Sequence, residues 1–155
     1  MRSVVQRVSR ASVTVDGEVV GAIERGVLIL VGVERGDTEA DAVATAKKIA
    51  GLRIFPSDQR PMDRPMDRPL ADIGGGCLVV SQFTLAGTVT KGRRPSFDRA
   101  EDPAVAERLY LRVAAELAAQ GLPVATGRFG ASMAVELLND GPVTLLVFTR
   151  DGTVL

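Results

Sequence analysis

In the stretch Asn139-Asp140-Gly141-Pro142-Val143-Thr144, the pair Gly141-Pro142 lies between two apolar runs, residues 133–138 and 143–148. Because proline donates no backbone hydrogen bond, Gly141-Pro142 is expected to interrupt or end a strand and to expose its own carbonyls. Pro142 is also a candidate for a cis peptide bond, which a small share of X-Pro bonds adopt. Local sequence alone favours a turn that joins two strands.

A second stretch, Ser81-Gln82-Phe83-Thr84-Leu85, follows directly on the apolar residues 77–80. Polar residues at the end of a strongly apolar strand are typical of the place where a strand delivers side chains to a pocket. The alternative is that Ser81 and Thr84 form local hydrogen bonds that terminate the strand. The strand itself is expected to be buried.

Length and composition indicate one globular domain spanning residues 1–155, with 46% apolar residues. No apolar run is long enough to cross a bilayer, and the N-terminus lacks the apolar segment of a signal peptide. The single cysteine, Cys77, excludes an internal disulfide and fits a reducing compartment. These features predict a cytoplasmic protein with no membrane partner.

Charge and residue types narrow the chemistry. Lys and Arg number 19 and so do Asp and Glu, so the chain has no overall basic charge to indicate a nucleic-acid partner, and DNA is not expected. A nucleic-acid substrate held locally, at one end and by few phosphate contacts, stays open. Histidine is absent, which excludes Ser-His-Asp and Cys-His arrangements. It also removes the commonest metal ligand, and no Cys or carboxylate cluster replaces it. We therefore expect neither a metal nor another cofactor.

The pattern of strands begins with alternating residues 2–8 and 11–15. Asp16-Gly17 predicts a hairpin turn, and residues 27–31 predict a strand buried on both faces. Arg7 lies on the first strand, where general burial statistics favour a side chain in solvent.

Two helices are predicted between the strands. The first begins at Asp37 or Thr38 and carries Lys47-Lys48 near its end, and the second begins at Asp102-Pro103 and closes at Gly121. Strands before, between and after these helices indicate a single, mixed, sheet-rich α/β domain.

Two loops stand out by composition. Arg60-Pro61-Met62-Asp63 is repeated at once as residues 64–67, and its prolines predict a surface loop. Lys91-Gly92-Arg93-Arg94-Pro95-Ser96-Phe97 is a compact basic loop, and by charge it is the best local site for phosphate.

The stretches 81–85 and 139–144 resemble the two signature motifs of the D-aminoacyl-tRNA deacylase family. Gln6-Arg7-Val8 with Ala11-Ser12-Val13, the basic loop 91–97, and Phe129-Gly130-Ala131 with Met133 are similar to that family in the same order. The resemblance covers nearly the whole chain. The repeat at 60–67 and Arg93 depart from the family pattern, and both lie outside the two signature motifs.

The resemblance implies two helices packed on a β-sheet or barrel-like core, and a homodimer with active sites at the subunit interface. Ser81, Gln82, Phe83 and Thr84 would form the catalytic segment, with the N–H groups of Phe83 and Thr84 as an oxyanion hole. Gly141-Pro142, in cis, would reach in from the other subunit, held by Arg7. Phe129 and Met133 would pack around the terminal adenosine of tRNA.

The implied reaction is hydrolysis of the ester of D-aminoacyl-tRNA, a proofreading step in translation. An activated ester mainly requires a placed water and a stabilised oxyanion. The ribose 2′-hydroxyl would help to activate that water. Gly141 and Pro142 would reject L-aminoacyl groups by crowding, so glycine mischarged on tRNA(Ala) is a plausible second substrate.

Three alternatives remain open. A binding module would hold tRNA ends without chemistry, and a small-molecule esterase or peptidase would use Ser81 or Thr84 as its nucleophile, although no histidine could serve it as a base. A related deacylase with relaxed chirality would carry an altered 81–85 motif.

Overall fold

The computed structural model describes residues 1–155 as a curled seven-stranded sheet that carries two helices. The elements, in chain order, are β1 (Arg2–Val15), β2 (Glu18–Ile23), β3 (Gly26–Gly32), α1 (Glu39–Ala50), β4 (Gly76–Ser81), α2 (Pro103–Ala119), β5 (Val124–Thr126), β6 (Ala134–Arg150) and β7 (Thr153–Val154). This arrangement confirms the predicted mixed, sheet-rich α/β fold with two helices.

Strand β1 is the centre of the sheet. Its first half pairs antiparallel with β3, its second half pairs antiparallel with β2, and β6 runs along its other edge. The sequence predicted two separate segments here, whereas β1 is one strand of 14 residues. It stays continuous because β6 supplies partners on both sides of the exposed Ser9, Asn139 for Val8 and Leu138 for Arg10.

The sheet has the strand order β5-β4-β3-β1-β6-β7, with β3, β4 and β5 parallel to one another. The hairpin at Asp16-Gly17 is confirmed, and both residues have positive φ, as a tight turn requires. Strand β2 then curls back towards β5. A Cβ on Gly21 would lie 2.2 Å from the carbonyl oxygen of Thr126, so this close approach requires glycine. The curl makes the sheet barrel-like.

Two apolar cores result from this curl. The larger core lies between the sheet and the helices, and the predicted double-sided burial of β3 contributes to it through Val27, Ile29 and Val31. The smaller core fills the inside of the curl with Val8, Ala11, Val13, Val15, Leu28, Leu78 and Val80. Alternate residues of one strand thus serve both cores, because successive side chains point to opposite faces.

The predicted helix starts are confirmed. The backbone N–H of Thr38 donates to Asp41 Oδ2 at 2.8 Å in a capping box, and Asp102 Oδ1 accepts from the N–H of Ala104 at 3.0 Å. Burial alone would raise the pKa of Asp41, but hydrogen bonds from Gly152 and Thr38 together hold that pKa below its ordinary value. Neither helix is long and apolar enough to cross a membrane.

Candidate active site

The 81–85 segment lies where β4 ends and a short 3-10 turn, Phe83–Ala86, begins. The N–H of Gln82 donates to the carbonyl of Val31 at 2.8 Å and so fixes the start of the turn to β3. The backbone N–H groups of Phe83 and Thr84 donate to no acceptor in the chain. Two adjacent free donors at the exposed end of a buried strand can bind an oxygen that carries negative charge.

Only some side chains of the 81–85 segment form hydrogen bonds within the chain. The Gln82 side-chain amide donates to the hydroxyl of Thr84, while the hydroxyl of Ser81 contacts no donor or acceptor of the chain. Phe83 is 59% exposed, and its ring meets Phe97 edge to face with centroids 5.0 Å apart. Phe97 therefore connects the basic loop 91–97 to the turn.

A cavity of about 700 Å³ opens beside the turn. Its lining is mainly apolar: Val31, Val33, Arg35, Ser81, Phe83, Phe97, Ala100, Glu101, Asp102, Pro103, Ala106, Tyr110, Phe129 and Gly130. Tyr110 and Phe129 contact each other in its wall, with ring centroids 6.1 Å apart. The volume and the mainly apolar lining fall in the range of pockets that bind small organic ligands.

Two buried ionisable groups near β4 are held in their neutral forms. Tyr110 donates its hydroxyl proton to the carbonyl of Val79 at 3.0 Å, and burial raises the pKa of that phenol. Burial also raises the pKa of the Cys77 thiol to about 12. Neither group is an available nucleophile at neutral pH.

Gly141-Pro142 forms a bulge within β6, and its peptide bond is cis. Gln6 pairs with Thr144 and Val8 pairs with Asn139, so the residues between them on β6 are looped out opposite Arg7. The expected strand-joining turn is wrong, because β1 holds β6 on both sides of the pair and the strand runs on. The side-chain oxygen of Asn139 accepts from the N–H of Val143 at 3.0 Å and closes the bulge.

Arg7 lies beneath this bulge with 7% of its surface exposed, so the expected solvated position is wrong. Its Nε donates to the carbonyl of Asp140 at 2.9 Å, and Nη1 donates to the carbonyls of Ile54 at 2.5 Å and Pro65 at 3.4 Å. Burial of the guanidinium is tolerated because carbonyl oxygens satisfy its donors. Arg7 thereby fixes the backbone next to Gly141, and Gly141 and Pro142 are both exposed.

The chain does not bring its two motifs together. Arg7 pairs with Val27 on β3, whereas Ser81 on β4 pairs with Val31. Strand geometry of ~3.3 Å per residue and ~4.8 Å between strands places the Gly141-Pro142 bulge on the order of 15–20 Å from Ser81. Within one chain, Gly141 and Pro142 are therefore remote from the cavity.

The remaining predicted site residues divide between two places. Phe129 lines the cavity, whereas Met133 packs on the smaller core, close against Gly127. Sequence reasoning missed Arg35 and Tyr110 as cavity residues. The only sequence signal for Tyr110 was its helical spacing, which indicates burial rather than a site. Nowhere in the chain do three His, Cys, Asp or Glu side chains converge in a geometry suited to a metal.

Comparison with known proteins gives the class first. The family model for D-Tyr-tRNA(Tyr) deacylase matches residues 4–148, which identifies an enzyme of the deacylase class, a hydrolase. The chain belongs to the D-Tyr-tRNA(Tyr) deacylase family. The D-aminoacyl-tRNA deacylase of Geobacter metallireducens is 54% identical over 153 residues, 99% of each chain. That of Ruegeria pomeroyi is 58% identical over 145 residues, 94% of this chain and 97% of the relative.

Solved structures agree on the fold. The c-Myc DNA Unwinding Element Binding Protein superposes with a TM-score of 0.88 at 38% identity, over 97% of this chain and 99% of that one. A structure described as that of "a probable eukaryotic D-amino acid tRNA deacylase" has a TM-score of 0.77 at 20% identity, over 94% and 97%. The predicted deacylase-like fold is confirmed.

Proposed function

We propose that the protein hydrolyses the ester bond between a D-amino acid and the 3′-terminal ribose of tRNA. The products are the free D-amino acid and tRNA, and the reaction acts as quality control of translation in the cytoplasm. Family membership over residues 4–148 supports this proposal, together with a cavity that suits a terminal nucleoside beside two free backbone donors.

The chemistry proposed for the site is attack by water. The N–H groups of Phe83 and Thr84 bind the oxyanion that develops on the ester carbonyl, and the ribose 2′-hydroxyl helps to activate the water. Thr84 is a poor nucleophile, because its hydroxyl already accepts from Gln82 and no base lies within its hydrogen-bond contacts. Phe129, in the wall of the cavity, is proposed to pack against the terminal adenosine, whereas Met133 lies on the smaller core and is not given this role.

The observation that carries the rest of the proposal is the separation of the two motifs within one chain. We propose that the segments 81–85 and 139–144 come together in a homodimer, in which Gly141-Pro142 of one copy enters the cavity of the other. The outer face of β6 supports this assignment, since Leu138, Leu146 and Phe148 are 47%, 63% and 36% exposed on either side of the bulge. An apolar strip of this kind is typical of a protein–protein interface.

Chiral selection is proposed to work by rejection. The exposed carbonyls of Gly141 and Pro142 occupy the space that an L side chain would need, whereas a D side chain points away from them. Glycine has no side chain to reject, so glycine mischarged on tRNA(Ala) is proposed as a second substrate.

The test is deacylation of D-tyrosyl-tRNA and L-tyrosyl-tRNA, with chelator present, at concentrations where sedimentation defines the oligomer. Loss of the D-ester alone, by a dimer, is the expected result. Loss of both esters contradicts the rejection mechanism, and activity of an isolated monomer contradicts the shared site. Binding of tRNA without loss of either ester would support a binding module instead.

A further inference from the structure

The distribution of unpaired cations on this neutral chain is uneven. Ten of the arginines form ion pairs within the chain, among them Arg53 with Asp67, and Arg99 and Arg150 with Glu34. By contrast, no carboxylate lies within ion-pair distance of five exposed cations in the segments that line or flank the cavity. These are Arg35, Lys91, Arg93, Arg94 and Arg128, and we call them the basic rim.

The basic loop is fastened to the catalytic segment. Thr88 and Ser96 pair backbone to backbone at 2.8 and 2.9 Å, which closes the loop on itself. Phe97, directly after that pair, packs on Phe83 and also lies close against Gly87. Lys91, Arg93 and Arg94 therefore lie in a loop whose end, Phe97, lines the cavity, and their side chains are exposed to solvent.

The carboxylates near the rim are occupied by other donors. Asp98 accepts from the hydroxyl of Ser96 at 2.5 Å. Glu101 accepts from the N–H groups of Gly36 at 3.3 Å and Asp102 at 2.8 Å, and Asp102 caps α2. Glu101 and Asp102 line the cavity at the α2 side, and Asp98 lies at the end of the basic loop, held by Ser96; none of the three forms an ion pair with Lys91, Arg93 or Arg94.

We propose that the basic rim binds the phosphates that precede the terminal nucleoside of tRNA, with Arg93 and Arg94 as its principal contacts. This proposal rests on the proposed function, because the ester must lie in the cavity while the rest of the strand leaves past the loop. A backbone phosphate next to exposed guanidinium groups forms charge-assisted hydrogen bonds and releases condensed counter-ions. The rim thus supplies locally the attraction that the zero net charge of the whole chain does not.

The test compares two double variants that remove the same charge. Arg93→Ala/Arg94→Ala removes part of the rim, whereas Lys47→Ala/Lys48→Ala removes two exposed cations at the far end of α1. The binding constant K for tRNA that carries no amino acid is measured as a function of salt concentration for the wild type and for each variant. Each single-strand phosphate contact contributes about 0.7 to the slope of log K against log salt, so the rim variant should lose about 1.4. The α1 variant should keep the wild-type slope.

A second readout separates the rim from the reaction. Cleavage of 3′-O-(D-tyrosyl)adenosine, which has no phosphates, should be the same in the rim variant and the wild type, while kcat/KM for D-tyrosyl-tRNA falls through KM. Equal slopes for all three proteins, or an equal loss in both variants, would overturn the proposal. If wild-type protein binds tRNA with a rim-dependent slope but cleaves neither ester, the rim stands and the proposed deacylation fails.

Discussion

Arg7 Nε lies 2.9 Å from the main-chain oxygen of Asp140, across the pairing of β1 with β6. The side-chain carboxylate of Asp140 is 3.5 Å from the same nitrogen. One buried guanidinium therefore fixes the residue that leads into Gly141-Pro142 and links it to the carbonyls of Ile54 and Pro65.

Replacing Arg7 with alanine should leave buried carbonyl oxygens without donors and free the bulge. An unsatisfied buried acceptor costs about 1–3 kcal/mol, so we expect a loss of stability of that order in urea unfolding. Discrimination between D- and L-tyrosyl-tRNA should fall with it. Arg7→Lys should recover only part of either property, because one ammonium cannot reach carbonyls on separate segments.

Arg10→Ala is the matched control, since Arg10 lies on the same strand with its side chain 59% exposed and pairs only with Glu136. We expect it to change stability by less than about 1 kcal/mol. Equal effects at Arg7 and Arg10 would contradict the anchoring role of Arg7.

Gly141→Ala should distort the bulge and destabilise the protein more than Gly17→Ala does. The φ of Gly141 is 131°, and a Cβ there would lie 2.8 Å from Arg7 Nη2 and 3.0 Å from Val143 Cγ2. Gly17→Ala serves as control, because its φ is 80° but nothing lies within 4 Å of the added carbon. Backbone cost alone, about 1–2 kcal/mol, is expected at Gly17.

The measurement is thermal unfolding together with the ratio of D- to L-ester cleavage. We expect Gly141→Ala to lower both, and Gly17→Ala to lower the unfolding temperature alone. A normal D/L ratio in Gly141→Ala would show that the bulge does not set selectivity.

Thr84→Val tests whether the Thr84 hydroxyl attacks the ester. Removing a true nucleophile from a hydrolase costs on the order of 10⁴-fold or more in rate. If water attacks, Thr84→Val should keep the D-tyrosyl-tRNA rate within about tenfold, because the backbone N–H that binds the oxyanion is retained. Mass spectrometry of the wild type during turnover should find no acylated protein. An ester adduct on Thr84 would decide for the opposite mechanism.

Asp41 should make stability depend on pH in the acid range. Its pKa is depressed in the folded protein, so its contribution to stability is complete above the ordinary carboxyl pKa of about 3.9 and is lost as pH falls through the lower folded value. Asp41→Asn cannot titrate. The difference in unfolding free energy between wild type and Asp41→Asn should therefore be largest near neutral pH and should shrink below about pH 4. A difference that is constant from pH 7 to pH 3 would contradict this assignment.

Deletion of one copy of the 60–67 repeat yields the same sequence whichever copy is removed. Asp67 accepts from Arg53 at 2.9 Å, and after the deletion an aspartate still precedes Arg-Pro-Leu, so that ion pair can form again. Arg7 should lose at most its long contact with Pro65. We expect a shift in the unfolding temperature of a few degrees and an unchanged D/L ratio. A collapse of selectivity would instead give the repeat a part in holding the bulge.

Local patterns were enough to predict much of the fold. The helix starts follow from short carboxylates that accept from free N–H groups, Asp41 from Thr38 and Asp102 from Ala104, and Asp16-Gly17 turns because it adopts positive φ. The course of β6 through Gly141-Pro142 was not predictable, since it depends on partners supplied by β1 from the other end of the chain. The burial of Arg7 depends in the same way on distant carbonyls.

The site shows the same division. Polar residues at the end of a buried strand were expected at a pocket; Ser81 lines the cavity, whereas Gln82 and Thr84 do not. Phe83, which the resemblance alone placed in the catalytic segment, also lines the cavity. Tyr110 and Arg35 come to that cavity from α2 and from the segment after β3, a meeting that only the tertiary fold creates. The roles of Gly141 and Pro142 at a second copy's cavity stay predictions.

The distance between the bulge and the cavity has a genetic consequence under the shared-site proposal. Two inactive variants, one substituted at Gly141 and the other at Phe83, would recover part of the activity when they are expressed together. In a heterodimer of the two variant chains, one site combines an intact Phe83 from one chain with an intact Gly141 from the other. The second site carries both substitutions. The effect of a mutant allele on activity would then depend on which of the two segments it alters and on which second allele is expressed with it.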